Sequence, residues 1–206
     1  DKLKISKDEI RTKIRNYFKA NHPDYKPEFY IQGSYKVGTI ILTKDNECDL
    51  DDGVYFRREQ GVSGTTLQTW VKNAVDGHTT TPPEHRKKCI RVIFKAEYHI
   101  DIPVYYFPDG SDHPLLAIKN EDCSESDPKD FVEWYKNKIK DTPQVLRISR
   151  YLKAWCDFKR DKMPSGLTMS ILAANNIKKN DREDIALRDT LEKIKEVLDN
   201  TFECIV

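Results

Sequence analysis

Two aspartates one residue apart, Asp49 and Asp51, have the type and spacing that metal chemistry requires. In a strand, side chains two positions apart point to the same face and lie about 7 Å from each other. Two negative charges held this way favour a bound cation, and carboxylate oxygens suit Mg²⁺, which keeps water and phosphate oxygens as further ligands. The pair predicts metal-assisted phosphoryl chemistry, although a bare Asp-x-Asp is also typical of a solvated strand end.

A third aspartate, Asp101, lies in a later segment of strand character. Ile100 and Ile102 alternate around it as an apolar face, so Asp101 points to the opposite face. If its strand lies beside that of Asp49 and Asp51, three carboxylates converge and could hold two divalent ions about 4 Å apart. We predict these three aspartates as catalytic residues and metal ligands for two Mg²⁺ ions, with Mn²⁺ as an alternative ion.

A small-residue turn, Gly33-Ser34, precedes the aspartate pair, with fourteen residues between Ser34 and Asp49. Glycine lets a phosphate approach main-chain N–H groups, and a serine hydroxyl adds a donor. Gly-Ser is a common turn, so its position before the Asp-x-Asp strand, and not the dipeptide itself, indicates phosphate binding.

Five short motifs occur in a fixed order along the chain. They are Gln32-Gly33-Ser34-Tyr35, Asp49-Leu50-Asp51-Asp52-Gly53-Val54-Tyr55, Cys89-Ile90-Arg91-Val92, His99-Ile100-Asp101-Ile102-Pro103 and Arg150-Tyr151-Leu152-Lys153-Ala154-Trp155. In combination they resemble the polymerase-β-like nucleotidyltransferases. Within that superfamily they are most similar to the bacterial cyclic GMP-AMP synthase (DncV-like) branch of the cGAS/DncV-like nucleotidyltransferases, enzymes of anti-phage (CBASS) signalling. The resemblance covers most of the chain.

The resemblance implies a set of nucleotide-binding residues. Gln32 and Ser34, with Gly33 between them, match positions that contact the nucleotide triphosphate. Lys153 matches a helix lysine that touches the β- and γ-phosphates, and Ser165 is its expected partner there. Without the resemblance, Lys153 reads as a surface lysine and Ser165 as an ordinary helix cap.

An arginine inside an apolar strand, Arg91, needs an anion because a charged side chain is rarely buried unpaired. By position it matches a family arginine expected at the nucleotide site. A salt bridge to one of the carboxylates is the competing role. Asp52 follows the aspartate pair and faces away in a strand, so we expect it to be structural.

The composition narrows the class of substrate. The 206 residues contain 35 Lys and Arg against 34 Asp and Glu, so no overall positive field attracts long nucleic acid, and mononucleotides are the more natural substrates. The five cysteines are scattered without metal-site spacing, which favours a reducing compartment. No apolar run approaches the length of a membrane span, so we expect a cytoplasmic protein without membrane contact.

The expected fold class is α+β. We predict a polymerase-β-like nucleotidyltransferase lobe, a mixed sheet flanked by helices, over residues 1–141, and a helical second lobe across a nucleotide cleft over residues 142–206. Relatives continue past this point, so we expect the second lobe to be incomplete at its C-terminus.

Two helices carry finer expectations. Ser6 and Glu9 have the spacing of a capping box that opens the first helix. In the second lobe Ile148, Tyr151, Leu152 and Trp155 follow helical spacing and predict a buried stripe, with Lys153 off that stripe.

The predicted activity is metal-dependent joining of nucleoside triphosphates, ATP with GTP as a second candidate, into a cyclic di- or trinucleotide with release of pyrophosphate. The product would carry the signal to a downstream effector. Three alternatives stay open: a single transfer onto a protein, RNA or small molecule, template-free RNA extension, and a nucleotide-binding regulator without catalysis. The last usually lacks a carboxylate, and all three are present here.

Overall fold

The computed structural model describes residues 2–45, 48–57, 61–95, 98–108 and 110–201. The helices are α1 (Lys2–Asn21), α2 (Gly33–Val37), α3 (Gly64–Val75), α4 (Pro128–Asp141), α5 (Gln144–Lys159), α6 (Gly166–Asn176) and α7 (Glu183–Asn200). The strands are β1 (Pro27–Gln32), β2 (Cys48–Phe56), β3 (Glu84–His85), β4 (Ile90–Phe94), β5 (Tyr98–Ile102), β6 (Val104–Tyr106), β7 (Leu115–Leu116) and β8 (Ser124–Glu125).

The strands form one mixed sheet around β2. Its order is β3-β4-β5-β2-β6-β7-β8, and β1 pairs with β2 in addition. The first half of β2 runs parallel to β5 and the second half parallel to β6, whereas β1 is antiparallel to β2. A strand paired along its whole length is held in one register, so β2 fixes where its aspartates point.

The core of the sheet region explains why α1 forms. Ile10, Ile14 and Phe18 recur at helical spacing and are fully buried. α1 is present from Lys2, so Ser6 lies inside the helix and donates or accepts a hydrogen bond with the Tyr98 hydroxyl at 2.9 Å. The prediction that Ser6 caps this helix is therefore wrong.

The helices α5, α6 and α7 share a second core. Its buried members include Ile148 and Leu152 of α5, Met169, Leu172 and Ala173 of α6, and Ala186 and Ile194 of α7. The predicted stripe on α5 is wrong in half of its members, because Tyr151 and Trp155 are 43% and 44% exposed. The buried face of α5 includes Val145, Ser149 and Cys156 together with Ile148 and Leu152.

The chain divides into two compact units. One contains Asp1–Gln32 and Glu47–Pro128, and the other contains Gly33–Asn46 and Lys129–Val206. The second unit thus includes α2 and the loop after it as well as α4 to α7. The predicted domain boundary between residues 141 and 142 stays a prediction. Across the described residues, no helix has the length and apolar composition to cross a membrane.

Candidate active site

The three predicted carboxylates lie on adjacent strands of the first unit. In the parallel pairing of β2 with β5, Asp49 is opposite His99 and Asp51 is opposite Asp101. Because residues two apart share a face of the sheet, Asp49, Asp51 and Asp101 all belong to one face. The prediction that the two strands are neighbours is confirmed by this register. That the three carboxylates bind metal together stays a prediction.

Arg91 on β4 is the cation of this cluster. Its Nε and Nη2 donate to the two oxygens of Asp101, each at 2.7 Å, and Nη2 also lies 3.9 Å from Oδ2 of Asp49. The hydrogen bonds to Asp101 raise the pKa of Arg91, so the guanidinium stays charged. The competing role, a salt bridge to a carboxylate, is present. The nucleotide contact stays a prediction.

The histidine opposite Asp49 is a member of the cluster for which the sequence predicted no role, although His99 begins one of the five motifs. Nδ1 of His99 lies 3.1 Å from Oδ1 of Asp49, and the His99 side chain is 10% exposed. Its position two residues before Asp101 on the same strand is the sequence signal that could have identified it.

Asp52 belongs to the opposite face of β2. It is 1% exposed, and Arg11 of α1 donates to both of its carboxylate oxygens, from Nε at 2.7 Å and from Nη2. A buried carboxylate paired in this way stabilises the fold and has no oxygen aimed at a metal cluster on the other face. The expectation that Asp52 is structural is confirmed.

Gln32, a predicted nucleotide-binding residue, has a buried side chain. Its Nε2 donates to the Tyr105 hydroxyl at 2.9 Å, and its Oε1 accepts from the Tyr55 hydroxyl at 3.0 Å. Burial raises the pKa of Tyr105 to about 12, so this phenol stays neutral. The packing extends to Gly53, where a Cβ would lie 2.6 Å from Gln32 Oε1, so only glycine fits.

These contacts fix the end of β1 beside the aspartates. Gln32 is the register partner of Asp51 across the β1–β2 pair. The side-chain amide of Gln32 holds the end of β1 in place, a structural role that the Gln-Gly-Ser-Tyr motif did not indicate. Its contact with a triphosphate stays a prediction.

The Gly-Ser turn is a short helix of the second unit, α2, and it is anchored to α5. Thr39 N donates to Ser34 O at 2.9 Å, and Nζ of Lys153 donates to Thr39 O at 2.9 Å. Arg150 donates to Gly38 O from both Nε and Nη2, at 2.9 and 2.6 Å. Two cationic side chains of α5 therefore hold the backbone that follows Ser34.

Lys153 also lies against the beginning of α6. Ser165 is the N-cap of α6, and its Oγ accepts from Thr168 N at 3.1 Å. A Cβ at Gly166 would meet Cε of Lys153 at 2.9 Å, so the absence of a side chain there makes room for the lysine. The structure thus places Lys153 beside Gly166, the residue that follows Ser165. Binding of the triphosphate by Lys153 and Ser165, which the resemblance implies, stays a prediction.

Taken together, the predicted residues form two groups. Asp49, Asp51, Asp101 and Arg91 lie on neighbouring strands of the first unit, next to Gln32. The other group, in the second unit, contains Gly33, Ser34, Lys153 and Ser165. An anionic cluster suited to a metal and a cationic helix end suited to phosphate are the two parts that phosphoryl transfer needs.

Comparison with known proteins identifies relatives of this chain. Residues 27–105 match the family described as the nucleotidyltransferase domain of DncV-like cyclic GMP-AMP synthases. A cyclic GMP-AMP synthase of Escherichia albertii is 29% identical over 87% of this chain and 44% of its own length. One from Escherichia coli is 23% identical over 86% of this chain and 54% of its own length. The chain spans about half the length of these curated relatives.

Solved structures share the fold. Vibrio cholerae DncV in complex with nonhydrolyzable GTP superposes with a TM-score of 0.69 at 24% identity, over 84% of this chain and 51% of that one. The same protein with the linear intermediate 5′-pppA(3′,5′)pG gives 0.69 over 86% of this chain and 52% of that one, also at 24% identity. The α+β polymerase-β-like fold is confirmed. The similarity that the motifs predicted is confirmed over residues 27–105, which match the DncV-like nucleotidyltransferase domain.

Proposed function

We propose that this chain carries the catalytic part of a nucleotidyltransferase that joins ATP, with GTP as a second substrate, into a cyclic di- or trinucleotide and releases pyrophosphate. The biological role that we propose is anti-phage defence signalling through an effector of that product. The observation that carries the proposal is the register of β2 and β5, which sets Asp49, Asp51 and Asp101 on one face of the sheet.

The donor set fits a divalent cation. Asp49 and Asp51 on β2 and Asp101 on β5 offer carboxylate oxygens on neighbouring strands, with Asp51 directly opposite Asp101. The Asp49 side chain is 48% exposed, so solvent and substrate would reach it. Three carboxylates are the hard ligands that Mg²⁺ or Mn²⁺ prefers. Bound there, the ions would lower the pKa of the acceptor hydroxyl and offset the charge of the leaving pyrophosphate.

The residues of the chain would position the reactants. Lys153 and the N-terminus of α6 with Ser165 would bind the β- and γ-phosphates of the donor, and Ser34 would add a hydroxyl donor. The acceptor hydroxyl then attacks the α-phosphorus in line, a new P–O bond forms, and the bond to pyrophosphate breaks. Asp101, held by Arg91, would help to activate that hydroxyl. Positioning and charge stabilisation supply the rate.

A second transfer would close the ring. The complex of a DncV relative with the linear intermediate 5′-pppA(3′,5′)pG supports an order in which a linear dinucleotide precedes the cyclic one. The same site would then act twice, with the linear product as its own donor and acceptor.

Pyrophosphate release tests the reaction class. The purified protein is incubated with ATP and GTP and Mg²⁺ or Mn²⁺, with EDTA and the Asp49→Ala variant as matched controls. We expect pyrophosphate with either metal and none in the two controls. Orthophosphate in place of pyrophosphate would contradict nucleotidyl transfer. ATP binding without any pyrophosphate would favour a non-catalytic regulator.

A further inference from the structure

His99 is held next to the carboxylate cluster by the sheet itself. It is the register partner of Asp49 in the parallel β2–β5 pair. The next pair on the same face of the sheet, two residues further along both strands, is Asp51 with Asp101. Its side chain is 10% exposed, whereas that of Asp49 is 48% exposed. A buried ring has few rotamers open to it, and a half-exposed carboxylate has several. Of the two, the histidine is therefore the fixed partner.

The contact determines the orientation of the carboxylate. His99 Nδ1 lies 3.1 Å from Oδ1 of Asp49, while Nη2 of Arg91 lies 3.9 Å from Oδ2. Each oxygen of Asp49 thus has a different neighbour, one on β5 and one on β4. An Nδ1–H that donates to Oδ1 leaves further lone pairs of the carboxylate for a metal.

We propose that His99 is a positioning residue that fixes the Asp49 carboxylate in its metal-binding orientation through an Nδ1–H hydrogen bond. The inference rests on the proposed metal-dependent function. Partners that orient metal ligands are worth about 10- to 100-fold in metal affinity or activity. His99 touches no reacting atom in this account and acts through Asp49.

The geometry offers a test that separates orientation from packing. An asparagine amide can place its N–H near the position of histidine Nδ1, whereas the longer glutamine places its N–H near Nε2. We therefore compare His99→Asn with His99→Gln. His85→Asn is the matched control, because His85 on β3 of the same sheet bonds Gln68 through Nε2 and pairs in register with Ile90.

The readout is Mn²⁺ affinity, measured by electron paramagnetic resonance of free Mn²⁺ on folded protein without nucleotide. We expect wild type, His99→Asn and His85→Asn to bind Mn²⁺ alike, and His99→Gln to bind about 10- to 100-fold more weakly. Equal affinity in the two His99 variants overturns this proposal alone. A wild type that binds no Mn²⁺ overturns the metal-dependent function as well.

A measurement on the wild-type protein decides the case if the His99 variants do not fold. Nitrogen-15 NMR of labelled histidine reports which ring nitrogen carries a proton. We expect a proton on Nδ1 of His99, with a resonance that shifts in Asp49→Asn. An unprotonated Nδ1 would overturn the proposal, because it could not donate to a carboxylate.

Discussion

Asp51 and Asp52 are adjacent in sequence and differ completely in environment. Asp51 faces Asp101 across β2 and β5, whereas Asp52 is buried on the other face against Arg11. Alternation along a strand is sufficient to give neighbouring aspartates separate functions. The two positions therefore make a matched pair of experiments.

Asp51→Asn is expected to remove activity and spare the fold. Loss of a metal ligand removes several kcal/mol of transition-state stabilisation, which corresponds to a fall in rate of roughly 10²- to 10⁴-fold. Tm should change little, because asparagine is close to aspartate in size and removes one negative charge from a face on which three carboxylates repel one another. Pyrophosphate release and Tm measure the two effects. Full activity in this variant would exclude Asp51 from the metal site.

Asp52→Ala is expected to do the opposite. Removing one partner of a buried ion pair costs about 3 kcal/mol or more, because Arg11 loses the acceptor of both its hydrogen bonds. For a chain of this length that corresponds to a fall in Tm of roughly 6–12 °C. Below the lowered Tm the remaining folded protein should keep its rate per molecule. An unchanged Tm would contradict the stabilising role.

The residue types of the site could be read from the sequence because strand alternation is local. Asp49, Asp51 and Asp101 required only a period of two and one assumption about neighbouring strands. The partners could not be read in this way. That Arg11 pairs with Asp52, and that Gln32 is held by two tyrosines, depends on which elements pack together.

Ser165 at the beginning of α6 has a structural role as the helix cap and a proposed role in phosphate binding. Ser63, the cap of α3, is a control for the first of these roles. Ser63 caps α3 as Ser165 caps α6, each with Oγ accepting from the N–H three residues on at 3.1 Å. Either change to alanine should cost about 1 kcal/mol of stability. A comparison of the two variants therefore isolates phosphate binding.

Only Ser165→Ala should also weaken ATP binding. A hydrogen bond to a charged group is worth about 1.5–3 kcal/mol, so we expect a rise in Kd of roughly 10- to 100-fold. Isothermal titration with ATP, together with thermal unfolding of both variants, gives the two numbers. If Ser63→Ala and Ser165→Ala bind ATP equally well, Ser165 is a cap and nothing more.

Gly166 tests the placement of Lys153. A Cβ at this position would meet Lys153 Cε at 2.9 Å, and the flexible lysine would yield. Gly166→Ala should therefore leave Tm unchanged or slightly raised, since alanine favours a helix, and should weaken ATP binding. In a Lys153→Ala background the same change should have no further effect on ATP affinity. Additive losses would contradict an action through Lys153.

The helices show where pattern reasoning fails. The apolar spacing of α5 allowed two overlapping stripes, and the buried one includes Ser149 and Cys156 in place of Tyr151 and Trp155. Which stripe is buried depends on the facing helices α6 and α7, whose buried residues form one core with Ile148, Leu152 and Cys156. The start of α1 was missed because a Ser-x-x-Glu motif can also occur inside a helix, where Ser6 contacts Tyr98.

The chain as a whole contains one group of proposed residues in each compact unit. The carboxylates and Arg91 belong to the unit with the sheet, and Lys153 and Ser165 belong to the helical unit. The match to a DncV-like nucleotidyltransferase domain covers residues 27–105, which include every proposed metal ligand but neither Lys153 nor Ser165. Of the two proposed groups, the carboxylates thus lie within the matched region and the phosphate-binding residues outside it. Ring closure is the part of the proposed function that most needs a direct test.

That test is the identity of the product. The purified protein is incubated with labelled ATP, GTP, CTP and UTP and Mg²⁺ or Mn²⁺, treated with phosphatase and analysed by mass spectrometry, with Asp49→Ala alongside. We predict a phosphatase-resistant product with the mass of a cyclic di- or trinucleotide that contains adenine and is absent from the variant. Products that are only linear, or nucleotides attached to a protein or RNA, would contradict cyclic nucleotide synthesis and indicate a single-transfer enzyme.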